Sequence, residues 1–311
     1  MLEAIPVYKK LFINNYDYYY FEALYDRIIK NPSGVETIIT GLSYGVDGVI
    51  RSELPLCLNF SMHSQDVFYD SLHIQRLLGY EELNIKTCIM CLGYYSLYYD
   101  LSLSANNGHK VYKTYYPIFG DTHNIENNKN IDNYSEYKKL YDEIKKKADS
   151  LGITELALRY FEENNYEYYG NSMKRLWWTP FESNASNFAE LSDDEKVWYA
   201  EYRAELHNKQ YKYKKTFDEN TVILNRIFHE LYNKGIRIFV CIMPFTWDYL
   251  RIINKNYKTE MVSFFDNIDV PIEFVDLNDL DVWRDEHFLN VDHLTSEGAL
   301  LATRILNSII S

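Results

Sequence analysis

Five short apolar runs rich in β-branched residues recur along this chain, mostly separated by longer stretches with helical periodicity. The runs are VETIITGLS (35–43), the weaker CLNFS (57–61), NIKTCIMCLGYYSL (84–97), IRIFVCIMP (236–244) and IEFVDLND (272–279). Between or after them, SQDVFYDSLHIQRLLGY (64–80), DENTVILNRIFHELYNKG (218–235) and TSEGALLATRILNSII (295–310) carry apolar residues at helical spacing. Asp218 is the expected N-cap of the second and Gly235 its stop. Strands that are apolar throughout, rather than alternating, bury both faces. Such strands alternating with helices imply a mainly parallel sheet covered on both sides, so the expected class is α/β.

The stretch 105–215 breaks this rhythm. It is rich in Asn, Tyr, Lys and Glu and contains no buried-looking strand. Segments 132–152, 153–170 and 191–215 read as surface helices, the last opened by the capping signature Ser192-x-x-Glu195. The expectation is a single α/β domain over 1–311, with 105–215 a helical insertion or cap within it.

Charge narrows the partners. With 32 Lys+Arg against 45 Asp+Glu, the net charge of -13 opposes sequence-independent nucleic-acid binding, which needs cations to displace phosphate counterions. It opposes attraction to anionic lipid surfaces as well. No window approaches eighteen apolar residues, so no stable membrane insertion is expected. The N-terminal segment lacks the apolar core and cleavage site of a signal peptide. Cys88 and Cys91 form a C-x-x-C inside an apolar run, where strand alternation points them to opposite faces. These two, with Cys57 and Cys241, read as free core thiols of a cytoplasmic protein. Aromatic residues make up 16% of the chain, 30 of them Tyr, which fits either a core or a wet polar-ligand surface.

The chemistry-bearing pattern is TGLSYGVDG (40–48), directly after the first predicted strand. Gly41-x-Ser43-x-Gly45 lets a serine hydroxyl project at the carboxyl edge of a sheet, where open α/β sheets bind their ligands. Near the C-terminus, EHFLNVDHLTSEGALLATRIL (286–306) places His293 just before a helix, with Asn290 and Asp292 as local orienters. A nucleophilic serine needs such a base and a group that fixes it. His109 and His123 have no spacing that compels a metal site. The acidic turn Asp276, Asp279 and Asp281 reads as solvated. Neither a P-loop nor a dinucleotide fingerprint occurs, and no metal or cofactor is expected.

Taken together these residues resemble the SGNH/GDSL hydrolase superfamily, in particular its branch of surface-polysaccharide-cluster proteins related to the D-alanyl transfer protein of teichoic acids. Gly41, Ser43 and Gly48 are similar to the first block. Asn59-Phe60-Ser61-Met62-His63-Ser64-Gln65-Asp66 resembles the second, and Gly93-Tyr94-Tyr95-Ser96-Leu97 the third. Phe288, Asn290, His293, Leu294, Gly298 and Ala299 resemble the last. The resemblance implies a flavodoxin-like three-layer sandwich. It also implies a serine esterase or O-acyltransferase acting on a small, acetyl-like acyl group of a carbohydrate or polysaccharide precursor. Ser43 would be the nucleophile and His293 the base. The main-chain N–H groups of Tyr44 and Ser64 would form the oxyanion hole. Beside what the resemblance implies, the residues themselves offer His63, Tyr94, Tyr95, Trp177 and Trp178 as the candidate lining of the substrate site.

The chain departs from the pattern at three points. Asn290 stands where the family has an acid, and Asp292, the alternative, is awkwardly adjacent to His293. Ser64 replaces a glycine, and the third block lacks Gly-x-Asn-Asp. These departures carry the alternative of an inactive SGNH fold serving as a glycan-binding or assembly module. The oligomeric state is left open.

Overall fold

The computed structural model describes residues 16–54, 56–131 and 187–310, with a few helical positions between 139 and 150. The expected helix 153–170 and the pair Trp177 and Trp178 lie outside the described residues. The chain divides into two compact units, one drawn from residues 1–32 and 100–169 and the other from 33–99 and 170–311. In the first, helix α1 (Tyr16–Lys30) packs Phe21 near Tyr115 with ring centroids 5.9 Å apart, and Asp17 pairs with Lys110 at 2.9 Å.

The second unit holds the sheet. All five apolar runs form strands: β1 (Thr37–Gly41), β2 (Cys57–Asn59), β3 (Thr87–Leu92), β4 (Arg237–Ile242) and β5 (Glu273–Asp276). Every neighbouring pair is parallel, in the order β2-β1-β3-β4-β5. β2 and β3 are buried along their whole length, and β1 and β4 nearly so. Because alternate residues face opposite ways, this burial means that both faces are covered, as uniformly apolar strands require.

Seven helices of useful length or position complete the unit among the described residues. α2 (Ser43–Gly48) follows β1, α3 (Val67–Leu78) precedes β3, and α4 (Asp193–Asn208) and α5 (Lys214–Asn233) precede β4. α6 (Trp247–Ile252) and α7 (Asn256–Asp266) lead to β5. A short antiparallel hairpin, β6 (Phe288–Asn290) with β7 (His293–Leu294), then feeds α8 (Ser296–Ile310). α3 packs on α5, α4 on α6, and α8 on α2. The capping box at Ser192 and Glu195 forms as the sequence reads. Gly235, at φ +72°, ends the α5 segment in the left-handed region that glycine occupies freely. Asp218, however, is not a cap. α5 begins at Lys214, one turn before Asp218, and Thr216 in that added turn is already buried.

Candidate active site

The order β2-β1-β3 places the topological reversal between β1 and β3, where the two connections leave in opposite directions and open a crevice at the carboxyl edge. The turn after β1 sits there. Gly41 has φ +133°, and a Cβ on it would lie 2.0 Å from the Cys91 carbonyl oxygen, so only glycine lets β1 end this close to β3. Leu42 N–H still donates to Cys91 O at 3.3 Å, and Ser43 then opens α2. A Cβ at Gly45 would stand 2.1 Å from Ser61 Oγ, so the second glycine lets α2 press against the loop that follows β2.

Buried polar groups brace this turn from beneath. Asp70 Oδ1 accepts Gly41 N–H at 2.7 Å and Gln65 Nε2–H at 2.6 Å, and Gln65 also donates to Phe60 O at 2.9 Å. Asn59 donates to Gly45 O at 2.8 Å, and Asp66 caps α3 through Tyr69 N–H at 3.0 Å. Ser64 adopts φ +66°, which explains why a glycine suits that position better.

Across the crevice the β6–β7 hairpin delivers the base. His293 Nε2 is 2.8 Å from Ser43 Oγ. On the other side of the ring, Nδ1 faces Asn290 Oδ1 at 3.0 Å and Asp292 Oδ1 at 3.2 Å. The Asn290 amide is itself oriented, because its Oδ1 accepts Asp292 N–H at 3.1 Å. Two acceptors at Nδ1 place the proton there and leave the Nε2 lone pair for the Ser43 hydroxyl. The adjacency of Asp292 to His293 is thus no obstacle, since the hairpin bulge turns the carboxylate back towards the ring.

Asp292 is 2% exposed, and its other oxygen, Oδ2, accepts from Arg203 Nε at 2.9 Å and from Tyr44 Oη at 3.2 Å. Burial alone would raise this carboxyl, but Arg203 and His293 hold it well below the usual range. Burial likewise works to lower His293, and Asp292 and Asp47 outweigh it, so the imidazole titrates above its ordinary value. Tyr44 stacks on His293 with ring centroids 5.6 Å apart, its phenol pushed up by burial and then by Tyr95 and Asp292. Behind it, Tyr95 stacks on His207 at 3.9 Å, and His207 Nδ1 shares a 2.6 Å hydrogen bond with Tyr249.

The structure therefore gathers Ser43, Tyr44, His63, Tyr95, Asn290, Asp292 and His293. Tyr94 turns away to donate to Asp276 Oδ2 at 2.7 Å, and Lys258 bridges Asp276 and Asp279 at 2.7 Å each. The residues that sequence reading passed over are Asp47, Asp70, Arg203, His207 and Tyr249. Asp47, four positions after Ser43, shares its face of α2, and its Oδ2 lies 3.7 Å from His293 Nε2. That helical spacing was a usable signal. Arg203 had none, lying in a charged helix among other charges.

These elements define an α/β protein with a hydroxyl, an imidazole and an acid in line at the strand ends. No family model, curated protein or solved structure matches the chain.

Proposed function

We propose that the protein is an SGNH-like serine esterase or O-acyltransferase that removes or transfers a small, acetyl-like acyl group on a carbohydrate or polysaccharide precursor. The observation that carries this reading is the 2.8 Å contact between Ser43 Oγ and an imidazole whose far nitrogen is fixed by two oxygen acceptors. Ser43 Oγ attacks the acyl carbonyl as His293 Nε2 takes its proton. His293 then gives that proton to the departing sugar oxygen, which leaves as the hydroxyl. Water or a second hydroxyl, deprotonated by the same nitrogen, releases the acyl group from Ser43. Asp292 stabilises the imidazolium and Asn290 orients it.

Tyr44 N–H lies in the first turn of α2, where a helix leaves main-chain donors without partners of its own. With Ser64 N–H it is the natural donor pair for the oxyanion. The carbohydrate acceptor rests on the resemblance to the polysaccharide-cluster branch. The cytoplasm as its compartment belongs to the same proposal, supported by four free, buried cysteines. No helix among the described residues is long and apolar enough to cross a membrane.

The test is turnover of p-nitrophenyl acetate by the wild type and by Ser43→Ala, followed by acetylated oligosaccharides. We expect measurable turnover that Ser43→Ala abolishes. Equal rates in the two proteins would sink the reading.

A further inference from the structure

Asp47 is not one of the acceptors that orient His293, yet it stands inside the site. Its carboxylate is 2% exposed on the same face of α2 as Ser43, with Oδ2 3.7 Å from His293 Nε2 and Oδ1 3.5 Å from His63 Nε2. A carboxylate there also opposes the negative charge that builds on an oxyanion. The three side chains each offer one ligand atom, and all three atoms lie within 4.8 Å of one another.

That set is two imidazoles and one carboxylate, the donor set of open zinc sites, which leave a fourth position for water or another oxygen. Bond lengths of about 2.0–2.2 Å put the ligand atoms of a tetrahedral zinc about 3.3–3.5 Å apart. The Asp47 carboxylate reaches each imidazole through a different oxygen, His63 Nε2 at 3.5 Å and His293 Nε2 at 3.7 Å, so a modest turn of the carboxylate and of the partly exposed His63 would bring one oxygen and both nitrogens to that spacing. The nitrogen that zinc would take is the one that meets Ser43 Oγ at 2.8 Å. His293 is also prepared from behind, because its Nδ1–H donates to Asn290 and Asp292, the support that metal-bound histidines carry.

We propose that Asp47, His63 and His293 form a zinc site, and that zinc bound there takes the His293 lone pair from Ser43 and switches the serine off. The first half stands on the cluster alone, and the second rests on the esterase reading. Positions 47, 63 and 293 are too scattered in the chain for ligand spacing to reveal them.

The test uses the full chain, stripped with EDTA and exchanged into chelator-free buffer, then titrated with zinc chloride against a chromophoric chelator. We expect one zinc per chain, and at least about tenfold weaker binding in His63→Gln and in Asp47→Asn. His63 is partly exposed and Asp47→Asn is isosteric, so one folded variant suffices. At full occupancy, labelling of Ser43 by a fluorophosphonate should slow at least tenfold and recover with EDTA, an on-off contrast of about 1.4 kcal/mol or more. Absence of stoichiometric zinc, unchanged affinity in the variants, or labelling unaffected by bound zinc each overturns the proposal. Zinc binding that the variants weaken, in a chain whose Ser43 never labels, would support the site and sink the esterase reading instead. Labelling without zinc binding would do the reverse.

Discussion

Asp292 divides its oxygens between a cation and a base. Oδ2 meets Arg203 and Tyr44 while Oδ1 meets His293, so the carboxylate stays ionised and aims charge at the imidazole. Asp292→Asn keeps the shape and removes the charge. We expect kcat to fall by about 10²–10⁴, the upper end being the loss when the acid of a serine protease becomes an amide. Asn290, still accepting at Nδ1, sets the lower end. The pH profile separates charge from mere orientation. His293 must be neutral to act, and Asp292 and Asp47 raise its pKa, so kcat/KM in EDTA rises with pH through a midpoint above about 6.5. Asp292→Asn should move that limb to lower pH. Arg203 acts on His293 with the opposite sign, so Arg203→Gln should move it to higher pH. A limb that stays put in both variants would mean that neither charge reaches the base.

At the scale of elements, the β1–α2 turn concentrates the strain. Gly41→Ala meets both a positive φ and a backbone oxygen, and we expect it to destabilise by about 3 kcal/mol or more in urea unfolding. Ser64→Gly relieves a left-handed serine and should be neutral to stabilising by up to about 1 kcal/mol. Beneath the turn, burial pushes Asp70 to about 8. Its Oδ2 has no hydrogen-bond partner among the described residues, so no donor there favours the ionised form. In the unfolded chain an aspartate titrates near 3.9, so between about pH 4 and pH 8 the folded state holds a proton the unfolded state has lost. Stability from this group therefore falls as pH rises through that window, by at most about 1.4 kcal/mol per unit. Asp70→Asn keeps the acceptor for Gly41 and Gln65, so its urea midpoint should decline less from pH 5 to pH 8 than that of the wild type. Parallel declines would contradict the buried neutral acid.

The whole molecule shows which parts of this design a sequence carries openly. The five strands were legible because burial on both faces forces unbroken apolar runs, and Ser43 and His293 because turn glycines and a helix start flank them. The β6–β7 hairpin was not, since three residues paired with two leave no periodicity to read. Nor was Arg203. α4 lies in a polar stretch read as a cap, yet it packs on α6 within the sheet unit and brings its arginine to Asp292 across 89 positions. Such tertiary ion pairs have no local signature. The account converges on one atom, Ser43 Oγ, and on whether His293 makes it a nucleophile. Intact-mass measurement after fluorophosphonate treatment in EDTA tests this most directly. We expect one adduct per chain, mapped to Ser43 and absent from Ser43→Ala and His293→Ala. A folded wild type that takes no adduct, or takes it elsewhere, would contradict the assignment.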